Sequence, residues 1–150
     1  MKINVVRTSS ENSDFIELVK QLDAYLKVMD GEEHEFYKQF NTIETLKYVV
    51  VIYVDEIPAA CGAYRSYSNE TVEIKRMYVA EEFRRKGLAQ NVLTALEDWS
   101  KEIGFKNCTL ETGKRMTSAV AFYLKNKYKV IPNYGQYKHV GDSVCFQKNL

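Results

Sequence analysis

Hydrophobic and polar positions along this chain follow two periods, and the switches between them mark its elements. INVVR, close to the start, reads as a short first strand. After SSENSD, rich in residues that cap helices, apolar side chains fall at Phe15, Leu18, Val19, Leu22, Leu26 and Met29. That spacing lines one face of a helix, which Asp30-Gly31 ends. EEHEFYKQF is expected to add a second short helix. KYVVVIYV is a continuous apolar run rich in β-branched residues, as in a strand covered on both faces. Asp55-Glu56 turns the chain into IPAACGAYRSY, its hairpin partner.

Asn69-Glu70 marks the next turn, and TVEIKRMYV follows as a strand. Leu88, Val92, Leu96, Trp99 and Ile103 are expected on one face of a helix that Gly104 terminates. Glu97, four residues before Lys101, is placed for an exposed ion pair with it. KNCTLET reads as a strand, TSAVAFYLKN as a short helix and DSVCFQKN as the last strand. The order β-α-α-β-β-β-α-β-α-β, with room for one more strand, predicts an α/β fold around one mixed sheet. No internal repeat, low-complexity tract or linker interrupts it, so residues 1–150 are expected to form a single domain.

Composition narrows the function classes. The chain is 45% hydrophobic and 27% charged, which suits a globular protein with an ordinary core. A net charge of +1 gives no electrostatic reason to expect nucleic acid or an acidic membrane as partner. No run approaches the roughly 18 apolar residues of a membrane helix, and MKINVVRTSS lacks the apolar stretch of a signal peptide. A cytoplasmic location is expected, with Cys61, Cys108 and Cys145 as reduced, buried thiols. His34 and His139 lie far apart without a ligand cluster, so no metal is expected.

The chemistry concentrates in FRRKGLAQ, residues 83–90, where three cations and a glycine precede an amphipathic helix. A helix N-terminus offers unpaired N–H groups and partial positive charge, a natural seat for phosphate. The turn is neither a P-loop nor a dinucleotide fingerprint. Arg84-Arg85-Lys86-Gly87-Leu88-Ala89 instead resembles the Gln/Arg-x-x-Gly-x-Gly/Ala pyrophosphate loop of the GNAT superfamily of acyl-CoA-dependent N-acetyltransferases. VEIKRMYV resembles that superfamily's fourth strand, TLETG its fifth, and SAVAFYLKNKYKVIPNYGQY the helix and strand that follow. The resemblance runs over about residues 48–150 and extends less clearly to residue 3.

It implies a central, mostly antiparallel twisted sheet of six to seven strands flanked by about four helices, with strands four and five splayed apart. It implies acetyl-CoA as cosubstrate. Backbone N–H groups of Arg85, Lys86, Gly87, Leu88 and Ala89 would ring the pyrophosphate, and Arg84, Arg85 and Lys86 would add charge, only some of them facing the ligand. Main-chain groups of Met77 and Val79 would pair with the pantetheine arm, the Val79 N–H also approaching the thioester oxygen. Tyr78, Thr112 and Ser118 complete the expected coenzyme-binding set. Tyr123 falls at the position of the family's tyrosine and would meet the thioester sulfur as general acid. Glu73, fourteen residues before Gly87, matches the base glutamate of the histone-acetylating branch. Glu111 is the alternative base, and a solvent-facing Glu73 paired with Lys75 or Arg76 the alternative role for that residue.

Two departures stand out. Met116 occupies a place where Asn or Gln often binds coenzyme A, leaving that contact absent or taken over by Thr117 or Ser118. Lys127-Tyr128 replaces the common Gly-Phe or Gly-Tyr. Partners implied are a small-molecule or peptide amine, with a homodimer allowed for and neither nucleic acid nor membrane expected. Acceptor specificity is expected from Tyr25, His34, Glu35, Phe36, Tyr37, Tyr134, Tyr137 and His139, without a choice among small amine, amino acid and peptide terminus. A non-catalytic acyl-CoA-binding sensor of the same fold is the alternative, and a nucleotide-binding domain unrelated to coenzyme A a third.

Overall fold

In a computed structural model, residues 1–30 and 46–150 are described. The expected helix at EEHEFYKQF, with His34, Glu35, Phe36 and Tyr37, lies outside them. Seven strands form one sheet: β1 (Ile3–Thr8), β2 (Tyr48–Val54), β3 (Ile57–Ser66), β4 (Thr71–Val79), β5 (Asn107–Gly113), β6 (Lys129–Ile131) and β7 (Ser143–Asn149). The three α-helices among the described residues are α1 (Ser13–Asp30), α2 (Leu88–Ile103) and α3 (Thr117–Lys125). None of these helices is long and apolar enough to cross a membrane.

Strand order is β1-β2-β3-β4-β5-β7-β6, antiparallel throughout except between β4 and β5. The continuous apolar run in β2 is explained by cover on both faces. Val49 and Val51 pack under Phe15, Leu18 and Val19 of α1. Val50, Ile52 and Val54 join Leu88, Val92, Leu93 and Leu96 of α2 on the other side, together with Tyr123 of α3. Asn12 starts α1, its Oδ1 accepting the Phe15 N–H at 2.9 Å. Asp55 and Glu56 both take positive φ, 49° and 71°, the backbone of a tight hairpin turn.

Two details of α2 differ from the sequence expectation. Its inner stripe runs through Leu88, Val92, Leu93, Leu96 and Ser100, and Ile103 is 47% exposed. The helix therefore turns its last apolar residue outward, and Ser100 sits inside by donating its hydroxyl back to the Leu96 carbonyl at 2.8 Å. Glu97 does not pair with Lys101. It reaches across to β7, taking Lys148 Nζ at 3.1 Å on both oxygens and the Tyr128 hydroxyl at 2.7 Å. A half-buried carboxylate gains more from two donors held by neighbouring elements than from a solvated lysine on its own helix.

The sheet parts where the chemistry is expected. β4 and β5 pair only through Thr71↔Asn107, Val72↔Cys108 and Glu73↔Thr109. Beyond Glu73 they diverge, β5 staying with β7 along its whole length. On its other side β4 carries a bulge, because its register against β3 shifts between Cys61 and Ala63. Arg76 takes the left-handed backbone of that extra residue, at φ 59°. Gly62 stands opposite, where a Cβ would come within 2.6 Å of Val92, 2.7 Å of Met77 and 2.9 Å of Leu96. The bulge thus requires a glycine across from it.

Candidate active site

After β4 the chain makes one 3-10 turn at Glu81–Phe83 and swings into α2. Arg85 and Gly87 are left-handed, at φ 65° and 78°. Gly87 is the N-cap of α2, and no side chain caps the helix. A Cβ there would meet nothing within 4 Å, so the left-handed backbone, not crowding, is what favours glycine. Among the described residues, the N–H groups of Arg85 to Ala89 make no hydrogen bond outside the helix. A row of donors at the positive end of α2 therefore faces open space.

That space is a cavity of about 590 Å³. Of the residues expected to bind coenzyme A, Met77, Tyr78, Val79, Arg84, Arg85, Gly87, Leu88, Ala89, Ser118 and Tyr123 line it. Lys86 does not, and Thr112 lines the neighbouring cavity instead. Arg84 is already engaged: its Nε donates to the Val79 carbonyl at 3.0 Å. Its guanidinium also lies over the rings of Tyr25 and Tyr78, at 5.3 and 5.7 Å. It braces the turn against β4 and α1, leaving Arg85 as the cation of the turn placed for an anion. Tyr25, expected among the acceptor walls, stands on this side. The sequence reading also missed Met29, Arg115, Phe122 and Lys125 here; Lys125, two residues after Tyr123 at the end of a short helix, was the most legible of them.

Backbone geometry in the gap is explicit. The Ala80 N–H donates to the Ala59 carbonyl at 2.8 Å, so the next pair, Ala60↔Val79, is a non-hydrogen-bonded one. Val79 consequently points its N–H and C=O away from β3 into the gap. Arg84 takes the carbonyl, and the N–H remains directed at the cavity wall.

A second cavity, of about 150 Å³, occupies the wedge between β4 and β5. Glu73, Lys75 and Arg76 line it from β4, Glu111 and Thr112 from β5, Leu22 and Leu26 from α1, and Tyr137 from the turn before β7. The two cavities meet at Leu22, Met77, Met116, Ala119 and Tyr123, which line both. Met116, unable to hydrogen-bond as Asn or Gln would, thus sits at the junction.

Glu73 is no solvent-facing carboxylate, with 2% of its surface exposed. One oxygen accepts from Arg65 Nε at 2.9 Å and the other from the Tyr134 hydroxyl at 2.7 Å. Lys75 Nζ stands 3.9 Å away, too far for a hydrogen bond. Arg76 belongs to Asp23 of α1, at 2.8 Å. Burial lowers the Lys75 ammonium's pKa, partly offset by the nearby Glu73. Glu111 accepts from Ser143 Oγ at 2.6 Å. Tyr134 and Tyr137 lean together edge to face at 5.9 Å, whereas His139 is exposed beside a separate surface hollow.

Tyr123 projects from the last turns of α3 with 7% of its surface exposed, its ring against Phe122, Tyr128 and Phe146. Among the described residues no hydrogen bond engages its hydroxyl, although the residue lines both cavities. Burial raises its pKa, so the hydroxyl keeps its proton.

A sheet parted between β4 and β5, with an anion-seating turn straight after β4, is the architecture anticipated from FRRKGLAQ and its flanks. The sequence pattern of the Acetyltransferase (GNAT) family matches residues 15–128, and the chain belongs to that family. The Probable N-acetyltransferase 14 of Xenopus tropicalis is 28% identical over 96 residues, covering 64% of this chain and 47% of the frog protein. The chain thus spans about half the length of that curated relative. A crystal structure from Klebsiella pneumoniae, named provisionally as an acyl-CoA N-acyltransferase, superposes with a TM-score of 0.82 at 24% identity, covering 99% of this chain and 97% of that one. The PaiA N-acetyltransferase of Thermoplasma acidophilum, solved in complex with coenzyme A, gives 0.75 at 19% identity, covering all of both chains. Likeness at these identities establishes the fold.

Proposed function

We propose that the chain moves an acetyl group from acetyl-CoA to a primary amine by direct attack within a ternary complex. One observation carries this reading: a cavity fronted by the unpaired N–H groups of α2 runs into a charged wedge, and Tyr123 stands where the two join. The fit to coenzyme A is chemical. Free donors from Arg85 to Ala89 suit a pyrophosphate, the open space before Gly87 admits it, and the inward-facing Val79 N–H suits an amide or thioester oxygen. When bound, acetyl-CoA supplies an acetyl group already activated as a thioester.

The chain's own residues have three tasks. A carboxylate must take the proton of the incoming ammonium so that the nitrogen lone pair can form the new C–N bond. Glu73 and Glu111 both line the wedge, but Glu73 already accepts from Arg65 and Tyr134 on its two oxygens. Glu111 accepts from Ser143 Oγ in turn, so engagement does not choose between them: one of these two carboxylates takes the proton, and Glu73 also anchors Tyr134. The Val79 N–H faces charge developing on the acetyl oxygen. Tyr123 gives its proton to the sulfur as the C–S bond breaks, and the second proton lost by the acylated nitrogen restores it. Its raised pKa would oppose that step in water, yet burial raises a thiolate's basicity too.

Amine-dependent release of free thiol from acetyl-CoA tests the reading. Release that rises with added amine, with acetylated amine as product, supports it. Binding of acetyl-CoA without any amine-dependent release would identify a non-catalytic acyl-CoA-binding module instead.

A further inference from the structure

Resting on that reading, we propose that Asn133 is a positioning residue for the acetyl transfer, tying together the two hydroxyls that hold the wedge's carboxylates in place. A chain of hydrogen bonds runs from β4 to β5 through the segment that joins β6 to β7. The Tyr134 hydroxyl donates to Glu73 Oε2 at 2.7 Å, and Ser143 Oγ donates to Glu111 Oε2 at 2.6 Å. Asn133, next to Tyr134 in the chain, donates from Nδ2 to the Ser143 carbonyl and to the Val140 carbonyl, each at 3.1 Å. Both bonds end on carbonyls, so the amide nitrogen with its two hydrogens is the atom that must face them.

The two strands cannot fix this spacing by themselves. Glu73 is the last residue of β4 paired to β5, opposite Thr109, and Glu111 lies two residues further along β5. Val72, Cys108 and Leu110 all join the core under α2, so Glu73, Thr109 and Glu111 share the opposite face of the sheet. Glu111 therefore stands where β4 has already parted from β5, and no backbone ladder relates it to Glu73. The strap through Asn133 supplies that link.

Both ends of the strap are anchored. Ser143 opens β7 and pairs with Gly113 of β5, while the Lys114 N–H donates to the Asp142 carbonyl at 2.7 Å. At the other end Tyr134 stands edge to face with Tyr67 at 5.0 Å and with Tyr137 at 5.9 Å. Neither Asn133 nor Tyr134 lines the wedge, so each acts through the carboxylates and does not touch the acceptor. Proton transfer requires its acceptor within hydrogen-bond reach. A strap that holds both carboxylates sets that reach whichever of them takes the proton.

The test is steady-state thiol release from acetyl-CoA by Asn133→Ala and Asn133→Asp, the second keeping the shape and losing both donors. The amine is whichever of ethanolamine, L-alanine and L-alaninamide the parent turns over fastest. Both variants should lose about tenfold or more in kcat at saturating amine, since a displacement of about 1 Å can cost about 10²-fold. Acetyl-CoA affinity, read by calorimetric titration, should stay at the parent's value. A purely structural Asn133 predicts a lower urea midpoint with unchanged kcat per folded molecule, and that result would overturn the proposal. So would a loss of coenzyme affinity as large as the loss of kcat. Tyr134→Phe and Ser143→Ala, each deleting one hydroxyl, decide the matter if the Asn133 variants do not fold. The hydroxyl whose loss costs more in kcat must belong to the carboxylate whose Gln substitution costs more, and the reverse order defeats the strap. If the parent acetylates none of the amines, the acetyltransfer reading itself fails; normal kcat in the variants removes only this inference.

Discussion

Gly62→Ala probes the one place where fold and site are fastened together. The added methyl would lie 2.6 Å from Val92 Cγ1, 2.7 Å from Met77 Sδ and 2.9 Å from Leu96 Cδ1. Val92 and Leu96 are fully buried in the α2 layer, so neither can move far. Overpacking of a close-packed core costs about 1–3 kcal/mol, and three contacts inside 3.0 Å argue for the upper part of that range. Replacing glycine returns about 0.4–1 kcal/mol by restricting the unfolded chain. The net loss should be about 2 kcal/mol. With a urea dependence of about 2 kcal/mol/M, the unfolding midpoint falls by about 1 M. Met77 is the flexible member of the three and will yield first, which carries the disturbance to the junction of the two cavities. The thermal stabilisation conferred by acetyl-CoA should therefore shrink in the variant. Gly141→Ala is the control: a Cβ there meets nothing within 4 Å and its φ is not positive, so stability should hold or rise slightly. A Gly62→Ala protein with the midpoint and slope of the parent would refute the packing account of the bulge.

Tyr123→Phe should lower turnover by about 10²–10⁴-fold in a thiol-release assay with saturating amine, while acetyl-CoA affinity changes little; turnover within about threefold of normal would remove Tyr123 as the acid. Glu73→Gln and Glu111→Gln should be compared in kcat at saturating amine, the larger loss identifying the base. Glu73→Gln should also lower stability by about 1–2 kcal/mol in a urea titration, less than for a fully buried pair because Arg65 is 40% exposed. Lys127 holds φ 71°, so Lys127→Gly should stabilise the fold by about 1 kcal/mol in the same titration. Burial raises the thiols of Cys61 and Cys108 to about 12 and that of Cys145 to about 11, from 9.0. The folded state keeps protons that the unfolded chain loses, so this contribution is whole below about pH 9 and disappears as pH climbs towards 12. Urea midpoints measured from pH 8 upward should fall more steeply in the parent than in a variant with Cys61→Ala.

Sequence pattern revealed most of the scaffold because both of its periods are strong. β4 was legible to its end residues, since TVEIKRMYV is bounded by a polar turn and by the acidic start of the next one. The face of α2 was read one position astray because Trp99 and Ile103 extend the apolar spacing of Leu88, Val92 and Leu96, whereas Ser100 looks polar on paper. Its hydroxyl is satisfied by the helix itself, a local bond that hydrophobic periodicity does not register. The lone glycine inside AACGAYR carried a usable signal, because glycine within a strand marks a bulge or a close approach. Placing the bulge also requires the register of the partner strand, which lies outside local sequence.

The anion seat at Arg84–Ala89 was readable because helix ends and positive φ are local properties, but the fate of its cations was not. Arg84 and Lys86 look equivalent in sequence, and only the positions of Tyr25 and Tyr78 decide that Arg84 braces the turn. Glu73 illustrates the same limit more sharply. Its place on β4 points it into the wedge, yet its availability as a base depends on Arg65 from β3 and on Tyr134, which lies far along the chain. Local sequence determines which groups reach a site; the protons and charges they are left with there are set by partners distant in sequence.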